Sequence, residues 1–377
     1  MEVVDMLIKN GKLVDKSMGY AFVKRDIRIE NGVIKEIGEN LKQNENEEIL
    51  NIEGNIITPG FIDIHTHVYH GKTVIGIDPD KVGIELGVTS VIDAGTSGAD
   101  TFEDFYDRII KNSKTRVFAF LNIASTGLET LHELSDMANI DFGKIKKTVE
   151  KYKGTIIGIK ARASSSVVGE NGIAPIKKAK ETAKELGLPI MVHIGNAPPE
   201  AGEVLNLLEK GDIITHCYHN KENNLVKDIG ILPEALEAKK RGVLFDIGHG
   251  NSSFSFDIGK KAIKNGFLPD FLSTDIYDKN IEKPVKSQIN TLNKMLYLGL
   301  DLEECIQKLT KEPAEKLSLG NIGQIKIGFK ADFTIFELVE NFVELTDSVN
   351  KTVKQKPYVN AKYTVVNGIV YKSKGGN

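Results

Sequence analysis

The middle of the chain alternates between short apolar runs and longer amphipathic segments. Eight apolar runs contain few polar residues, as is typical of strands that are buried on both faces. The runs are residues 61–65, 90–94, 116–123, 155–160, 189–194, 212–217, 243–247 and 271–276. Helical patterns separate most of them. The alternation predicts an α/β fold, a closed (β/α)8 barrel of the TIM type. An open doubly wound sheet is the second choice, because no GxGxxG motif follows an early strand.

Both ends of the chain show a different pattern of short strand-like runs and turns. Asn10-Gly11, Asn31-Gly32 and Asn367-Gly368 each separate two such runs, and Asn-Gly in this setting favours a β-hairpin. We therefore predict a small β-sandwich domain that is built from both termini. The predicted limits are 1–58 and 318–377 for this domain and 59–317 for the barrel.

The composition argues against several classes of protein. The 377 residues contain 49 Lys and Arg against 52 Asp and Glu, which is unlike the basic surface of a nucleic-acid-binding protein. Two cysteines form no disulfide framework, and no apolar run is long enough to cross a membrane. We expect a cytoplasmic protein that acts on a small molecule, without nucleic-acid or membrane partners. Whether it forms a homo-oligomer stays open.

The first apolar run ends in His65-Thr66-His67. Residues two apart on a strand point to the same face, so both imidazoles could bind one cation. The alternative is a pair of ordinary loop histidines, and the motif alone does not decide between them.

Four other runs also end in residues that can bind metal or transfer a proton. They are Lys160, His193, His216 and Asp275, at the ends of the fourth, fifth, sixth and eighth runs. Each has a structural alternative: an ion pair for the lysine, a core position for either histidine and a helix cap for the aspartate. Strand ends meet at one face of a barrel, however, and four of the eight histidines fall in these positions. This coincidence favours a single centre.

The stretch from Thr58 to His67, TPGFIDIHTH, together with these strand-end residues, resembles the amidohydrolase superfamily. The nearest branch includes dihydroorotases, hydantoinases and deacetylase-type metallohydrolases. The resemblance implies two divalent metal ions, with zinc as the expected metal. It places His65, His67 and Asp275 on one ion and His193 and His216 on the other. A carbamate on Lys160 and a hydroxide would bridge the two ions.

The resemblance also implies the reaction. The bridging hydroxide would attack an amide or ester carbon of a small, carboxylate-bearing substrate, with Asp275 as the catalytic proton carrier. Arg162 and His249 are the expected substrate-binding residues, with a surface ion pair and a plain loop position as their alternatives. Tyr69 stands where dihydroorotases usually carry an arginine, which argues against that activity. The alternative functions are an adenine-deaminase-like deaminase and an inactive metal-binding paralogue.

Overall fold

The computed structural model describes residues 5–228 and 230–377, and its N-terminal part is a series of five strands. They are β1 (Met6–Asp15), β2 (Tyr20–Glu30), β3 (Val33–Gly38), β4 (Glu48–Asn51) and β5 (Ile56–Pro59). Asn31-Gly32 forms the predicted turn between β2 and β3. The hairpin predicted at Asn10-Gly11 is wrong: Asn10 has φ 62° in a bulge within β1. The segments on both sides of the bulge pair with β2, so the chain cannot reverse there.

The middle of the chain supplies the barrel strands. They are β6 (Phe61–Thr66), β7 (Val88–Ala94), β8 (Arg116–Asn122), β9 (Ile156–Ala163), β10 (Ile190–Ile194), β11 (Ile213–Thr215) and, after the two-stranded ribbon β12 (Val226–Lys227) and β13 (Gly230–Ile231), β14 (Leu244–Asp246). The seven barrel strands lie parallel and neighbour each other in chain order. Every residue of β7 is buried, as expected when a sheet is covered on both faces.

The eighth apolar run closes the barrel without forming a continuous strand. It makes two isolated parallel bridges, Asp246 with Phe271 on one side and Thr66 with Ile276 on the other. The backbone N–H of Asp275 also donates to the carbonyl of His65 at 2.7 Å. The run therefore lies between β14 and β6, which confirms the barrel and excludes an open sheet.

Helices fill most of the intervals between strands. They are α1 (Pro79–Val82), α2 (Phe102–Arg108), α3 (Phe142–Lys151), α4 (Ser165–Val168), α5 (Ala174–Glu185), α6 (Ala201–Leu207), α7 (Pro233–Arg241), α8 (Phe256–Lys264), α9 (Gln288–Tyr297), α10 (Leu302–Leu309) and α11 (Lys311–Lys316). α5 illustrates the pattern that makes these segments helical. Its Ile176, Ala179 and Ala183 recur at helical spacing and are fully buried, while most of its lysines face outward. None of the helices in the described residues is both long and apolar enough to cross a membrane.

The C-terminal strands complete the sheet that the N-terminus begins. They are β15 (Phe333–Val339), β16 (Val343–Thr346), β17 (Thr352–Gln355), β18 (Tyr358–Val366) and β19 (Ile369–Lys372). β15 pairs antiparallel with β5, which joins both ends of the chain in one eight-stranded sheet. The prediction that both termini build one β domain is confirmed, whereas its exact limits stay a prediction. β16 and β17 form a separate hairpin.

The inside of the barrel has an apolar lower part, which we call the barrel floor. Six of its buried residues come from six positions around the barrel: Ile62, Ile92, Phe120, Met191, Ile213 and Phe271. Ala314 and Leu317, at the end of α11, pack against the same cluster from below. The floor closes one end of the barrel, so the carboxyl ends of the strands form the open end.

Candidate metal centre

The six residues predicted to hold metal meet at this open end. His65 Nε2 lies 3.3 Å from Lys160 Nζ and 3.4 Å from Asp275 Oδ1, and His67 Nε2 lies 3.1 Å from the same oxygen. Potential ligand atoms of His65, His216 and Asp275 all lie within 4.8 Å of one another. His193 joins the group through a 2.8 Å contact between its Nδ1 and His216 Nε2.

Hydrogen bonds orient two of the imidazoles. The Thr215 hydroxyl donates to Asp246 at 2.7 Å, so it must accept the proton of His65 Nδ1, which lies 2.9 Å away. His216 Nδ1 donates to the carbonyl of Gly248 at 2.6 Å. In both rings the proton is on Nδ1, and Nε2 presents a lone pair to the centre. Such outer contacts commonly fix the tautomer of metal-binding histidines.

Burial keeps the imidazoles of His65, His193 and His216 neutral. It lowers the pKa of His216 to about 3, and nearby Asp275 opposes the shift only in part. Burial also lowers the pKa of His65 and His193 to well below the ordinary value. Lys160 adds to the shift of His65, and His216 adds to the shift of His193. A neutral imidazole is the form that binds a metal ion.

Lys160 is the most unusual residue of the group. It is 1% exposed, and its Nζ lies within hydrogen-bond distance of His65 Nε2 and Met191 Sδ, each at 3.3 Å. Burial lowers its pKa to about 7, partly opposed by Asp275 and Asp246. No carboxylate among residues 5–228 and 230–377 forms an ion pair with it, so the predicted alternative of a paired lysine does not hold. A neutral amine of this kind can add carbon dioxide.

Asp275, in the eighth run, and His216, directly after β11, both have a strained backbone conformation. Their φ angles are 51° and 73°, in the left-handed region that residues other than glycine rarely adopt. Burial alone would raise the pKa of Asp275, but the hydrogen bond from His67 and the nearby His216 bring it below its usual value. The carboxylate is therefore ionised at neutral pH and available to a cation.

Comparisons with known proteins identify the family of the chain. Residues 56–370 match the model of the Amidohydrolase family, which is most of the chain. A curated relative from Enterococcus faecalis, named "Deacetylase", is 38% identical and covers 97% of this chain and 99% of its own. The chain belongs to the amidohydrolase family. It is a metal-dependent hydrolase that acts on carbon–nitrogen bonds, and divalent metal ions are the general cofactor of the family.

Solved structures of differently named proteins show the same fold. A crystal structure of an adenine deaminase has a TM-score of 0.92 at 37% identity, covering 98% of this chain and 100% of that one. A crystal structure of a dihydroorotase also has a TM-score of 0.92, at 33% identity, covering 99% of both chains. The fold of this amidohydrolase is thus shared by proteins whose names indicate three different reactions.

A cavity of about 170 Å³ opens above the six residues. Its lining includes Leu131, Arg162, Ser252 and Tyr277, besides His65, His67, Lys160, His193 and Asp275. Arg162 lies on β9 two residues after Lys160 and faces the same side of the strand. Its Nε lies 3.0 Å from Glu133 Oε1 in an ion pair, although the angle is too poor for a hydrogen bond. Arg162 therefore lies in the cavity wall and forms an ion pair, but its partner Glu133 is buried, unlike in the surface ion pair expected as the alternative.

His249 is turned away from this cavity. It is fully buried, and its Nε2 lies 2.8 Å from Lys294 Nζ. Its ring stacks on Phe254 with the centroids 4.7 Å apart. The prediction that His249 contacts substrate stays a prediction. The next residues, Asn251 to Ser253, do line the cavity of this amidohydrolase.

Several buried acids of the amidohydrolase site were missed at the sequence level. Asp63 accepts hydrogen bonds from the N–H and hydroxyl of Thr274, and burial raises its pKa to about 7. Asp246 accepts from Thr215 and Ser273, and burial raises its pKa to about 6. Their signal was present, since an acid within an apolar strand needs a polar partner.

Proposed function

We propose that this amidohydrolase is a binuclear enzyme that hydrolyses an amide or ester bond of a small, carboxylate-bearing acyl compound, as a deacetylase would. One observation carries the proposal. Four histidines, one unpaired buried lysine and one ionised aspartate converge beneath a small cavity whose wall includes Arg162.

The donor set fits divalent metal ions. His65, His67 and Asp275 would hold one ion, and His193 and His216 would hold the second. Imidazole and carboxylate ligands suit zinc, which is the metal we propose. Lys160, as a carbamate, would supply the oxygens between the two ions. Bound ions would lower the pKa of a water molecule to near neutrality and polarise the scissile carbonyl.

Asp275 would carry the proton. It is ionised and lies 3.1 Å from His67 Nε2 and 3.4 Å from His65 Nε2, at the base of the cavity. It would accept a proton from the attacking water and deliver it to the leaving nitrogen or oxygen. A general base must lie within hydrogen-bond reach of the proton it takes, and this position allows that.

Arg162 would select the substrate. Its Nη2 donates to the carbonyl of Leu131 at 3.1 Å, and its Nε faces Glu133, which leaves Nη1 available. Glu133 is buried, and its charge holds the guanidinium at the edge of the cavity. A substrate carboxylate would bind here by a charge-assisted hydrogen bond.

The alternative reactions are less well supported. Dihydroorotase activity is disfavoured by Tyr69, because its hydroxyl donates to Asp104 at 2.7 Å and its ring packs 4.9 Å from Phe105. The Tyr69 side chain therefore packs against α2, and it is not among the residues that line the cavity. Deamination of adenine is the second candidate, since the adenine deaminase structure is 37% identical. An inactive paralogue is disfavoured because all six side chains are present and close together.

A cytoplasmic location and a small-molecule substrate, without nucleic-acid or membrane partners, complete the proposal. Cys217 and Cys305 are both buried and unpaired, as is typical of a reducing compartment.

A metal count together with an activity screen tests the proposal. The purified protein is analysed for bound metal and assayed with N-acetyl amino acids, O-acetyl hydroxy acids, dihydroorotate and adenine. We expect about two divalent ions per chain and turnover of acetylated acids. Asp275→Asn serves as the matched control and should abolish turnover. Release of ammonia from adenine without hydrolysis of any acyl compound would contradict the proposal, and absence of metal and of all activity would support the inactive paralogue.

A further inference from the structure

Lys294 is a second lysine of the barrel that is completely buried. It lies on α9, is 0% exposed, and places Nζ 2.8 Å from His249 Nε2 and 2.7 Å from the carbonyl of Pro284. Within the described chain it forms no ion pair with an acid. The reaction proposed above gives this residue no role.

The hydrogen bonds around Lys294 fit a neutral amine. His249 Nδ1 donates to the carbonyl of Gly250 at 2.9 Å, so His249 Nε2 must accept a proton from Lys294. The carbonyl of Pro284 accepts a second one. A neutral amine has two N–H groups, and both are used here. Burial also lowers the pKa of both Lys294 and His249, which agrees with two neutral groups.

His249, the partner of Lys294, belongs to the segment 248–253, which we call the active-site loop. The loop begins in two conformations that favour glycine, since Gly248 and Gly250 have φ 48° and 54°. A Cβ on Gly250 would lie 2.4 Å from Asp275 Oδ2, so the loop backbone packs directly against the proposed proton carrier. The last three residues of the loop, 251–253, line the cavity.

Other hydrogen bonds also hold the loop, among them the 2.6 Å bond from His216 Nδ1 to the carbonyl of Gly248. The Ser348 hydroxyl donates to the carbonyl of Gly250 at 3.0 Å, and the N–H of Gly250 donates to the carbonyl of Thr274 at 2.8 Å. These contacts all act on the loop backbone, whereas Lys294 is the residue that, within 5–228 and 230–377, holds the ring of His249 by a polar contact from the side of α9.

We propose that Lys294 is a positioning residue that, through His249, holds the active-site loop against Asp275 and the substrate cavity. His249 then serves the reaction through the loop and does not contact the substrate. The consequence for catalysis rests on the proposed function, whereas the consequence for loop order does not.

The test compares three variants by hydrogen exchange of the loop amides, steady-state kinetics and metal content. Lys294→Met removes the donor and keeps an unbranched apolar side chain. Lys294→Gln retains an NH2 group that can donate two hydrogen bonds. Asn290→Leu is the matched control, because Asn290 lies one turn earlier on α9, is buried, and has no hydrogen-bond partner for its side chain in the described residues.

We expect exchange within 248–253 to accelerate about tenfold or more in Lys294→Met, because a buried acceptor loses its donor. kcat/KM should fall by a similar factor while metal content stays unchanged. The exchange rate and kcat/KM of Lys294→Gln should lie between those of Lys294→Met and the wild type. Asn290→Leu should leave loop exchange as in the wild type. Equal exchange in Lys294→Met and the wild type, or equal acceleration in the control, would overturn the proposal.

Two further observations keep the test decisive. If Lys294→Met does not fold, nitrogen NMR of the wild-type histidines replaces it. His249 should show a neutral ring protonated on Nδ1, and the opposite tautomer would refute the contact. If the wild type hydrolyses none of the compounds, the proposed function fails, but loop exchange still decides the role of Lys294.

Discussion

The barrel floor and the candidate metal centre lie in the same barrel interior, yet they differ in polarity, in charge and in backbone conformation. On β10, Met191 belongs to the floor and His193, two residues later, belongs to the centre. On β11, Ile213 belongs to the floor and Thr215 holds His65. Since residues two apart face the same side, one step along each strand separates apolar packing from polar chemistry.

The difference indicates that the floor stabilises the fold, whereas the centre provides the chemistry at a cost in stability. Burying apolar side chains in the floor stabilises the fold, at about 25 cal/mol per Å² of apolar surface. Burying polar groups in the centre costs free energy unless each finds a partner. The raised pKa of Asp63 and Asp246 indicates this cost, and the left-handed backbone of His216 and Asp275 adds conformational strain. The predictions below test the two layers separately.

Replacing Lys160 by alanine should produce the largest effect. We expect activity to fall by at least about a hundredfold and metal content to drop, because the proposed bridge between the ions is lost. Activity assays and metal analysis measure this, and added short carboxylates should restore part of the activity. Full activity with unchanged metal in Lys160→Ala would show that the bridge is wrong.

Replacing Phe120 by alanine should affect stability instead. Phe120 is a fully buried floor residue, and its removal should lower the free energy of unfolding by about 3–5 kcal/mol. Urea unfolding measures the change. Phe342→Ala is the control, because Phe342 is 61% exposed and should alter stability by less than about 0.5 kcal/mol. An equal loss in both variants would contradict the role of the floor.

Replacing Thr215 by valine should weaken metal binding by about 10–100-fold. Valine keeps the shape but removes the hydroxyl that accepts from His65 Nδ1 and donates to Asp246. Competition with a chelator measures the affinity. Thr215→Ser retains the hydroxyl, so its metal affinity should stay near that of the wild type. Similar weakening in both variants would argue against orientation of His65 by the Thr215 hydroxyl.

Replacing His219 by asparagine should give the smallest effect, a weaker dependence of stability on pH. Burial lowers the pKa of His219 to about 3, whereas an unfolded histidine titrates near 6.5. Below pH about 6.5 the unfolded chain binds a proton that the folded chain does not, so stability is lost as pH falls towards 3.

Asparagine cannot titrate but retains an acceptor for the N–H of Lys221, which now donates to His219 Nδ1. Between pH 7 and pH 5 the metal-free variant should therefore lose roughly 1–2 kcal/mol less than the wild type. Unfolding in denaturant at both pH values measures this. Parallel losses in the two proteins would show that His219 is not held neutral by burial.

The local sequence pattern was sufficient to locate most barrel strands and to identify the polar residues at their ends. Apolar runs located β6 to β11, and spacing by two placed His65 and His67 on one side, where their rings lie 5.6 Å apart. Local pattern failed at Asn10-Gly11, because pairing with β2 on both sides of the bulge outweighed the turn preference of Asn-Gly.

The sequence by itself determined the order of the strands and the chemical identity of their ends, because both depend on neighbours within a few residues. Only the tertiary structure decided which partners orient those ends. Thr215 lies 150 residues from His65, and Lys294 lies 45 residues from His249. Contacts over such separations depend on barrel closure, which brings distant strand ends to one face and leaves no local pattern in the chain.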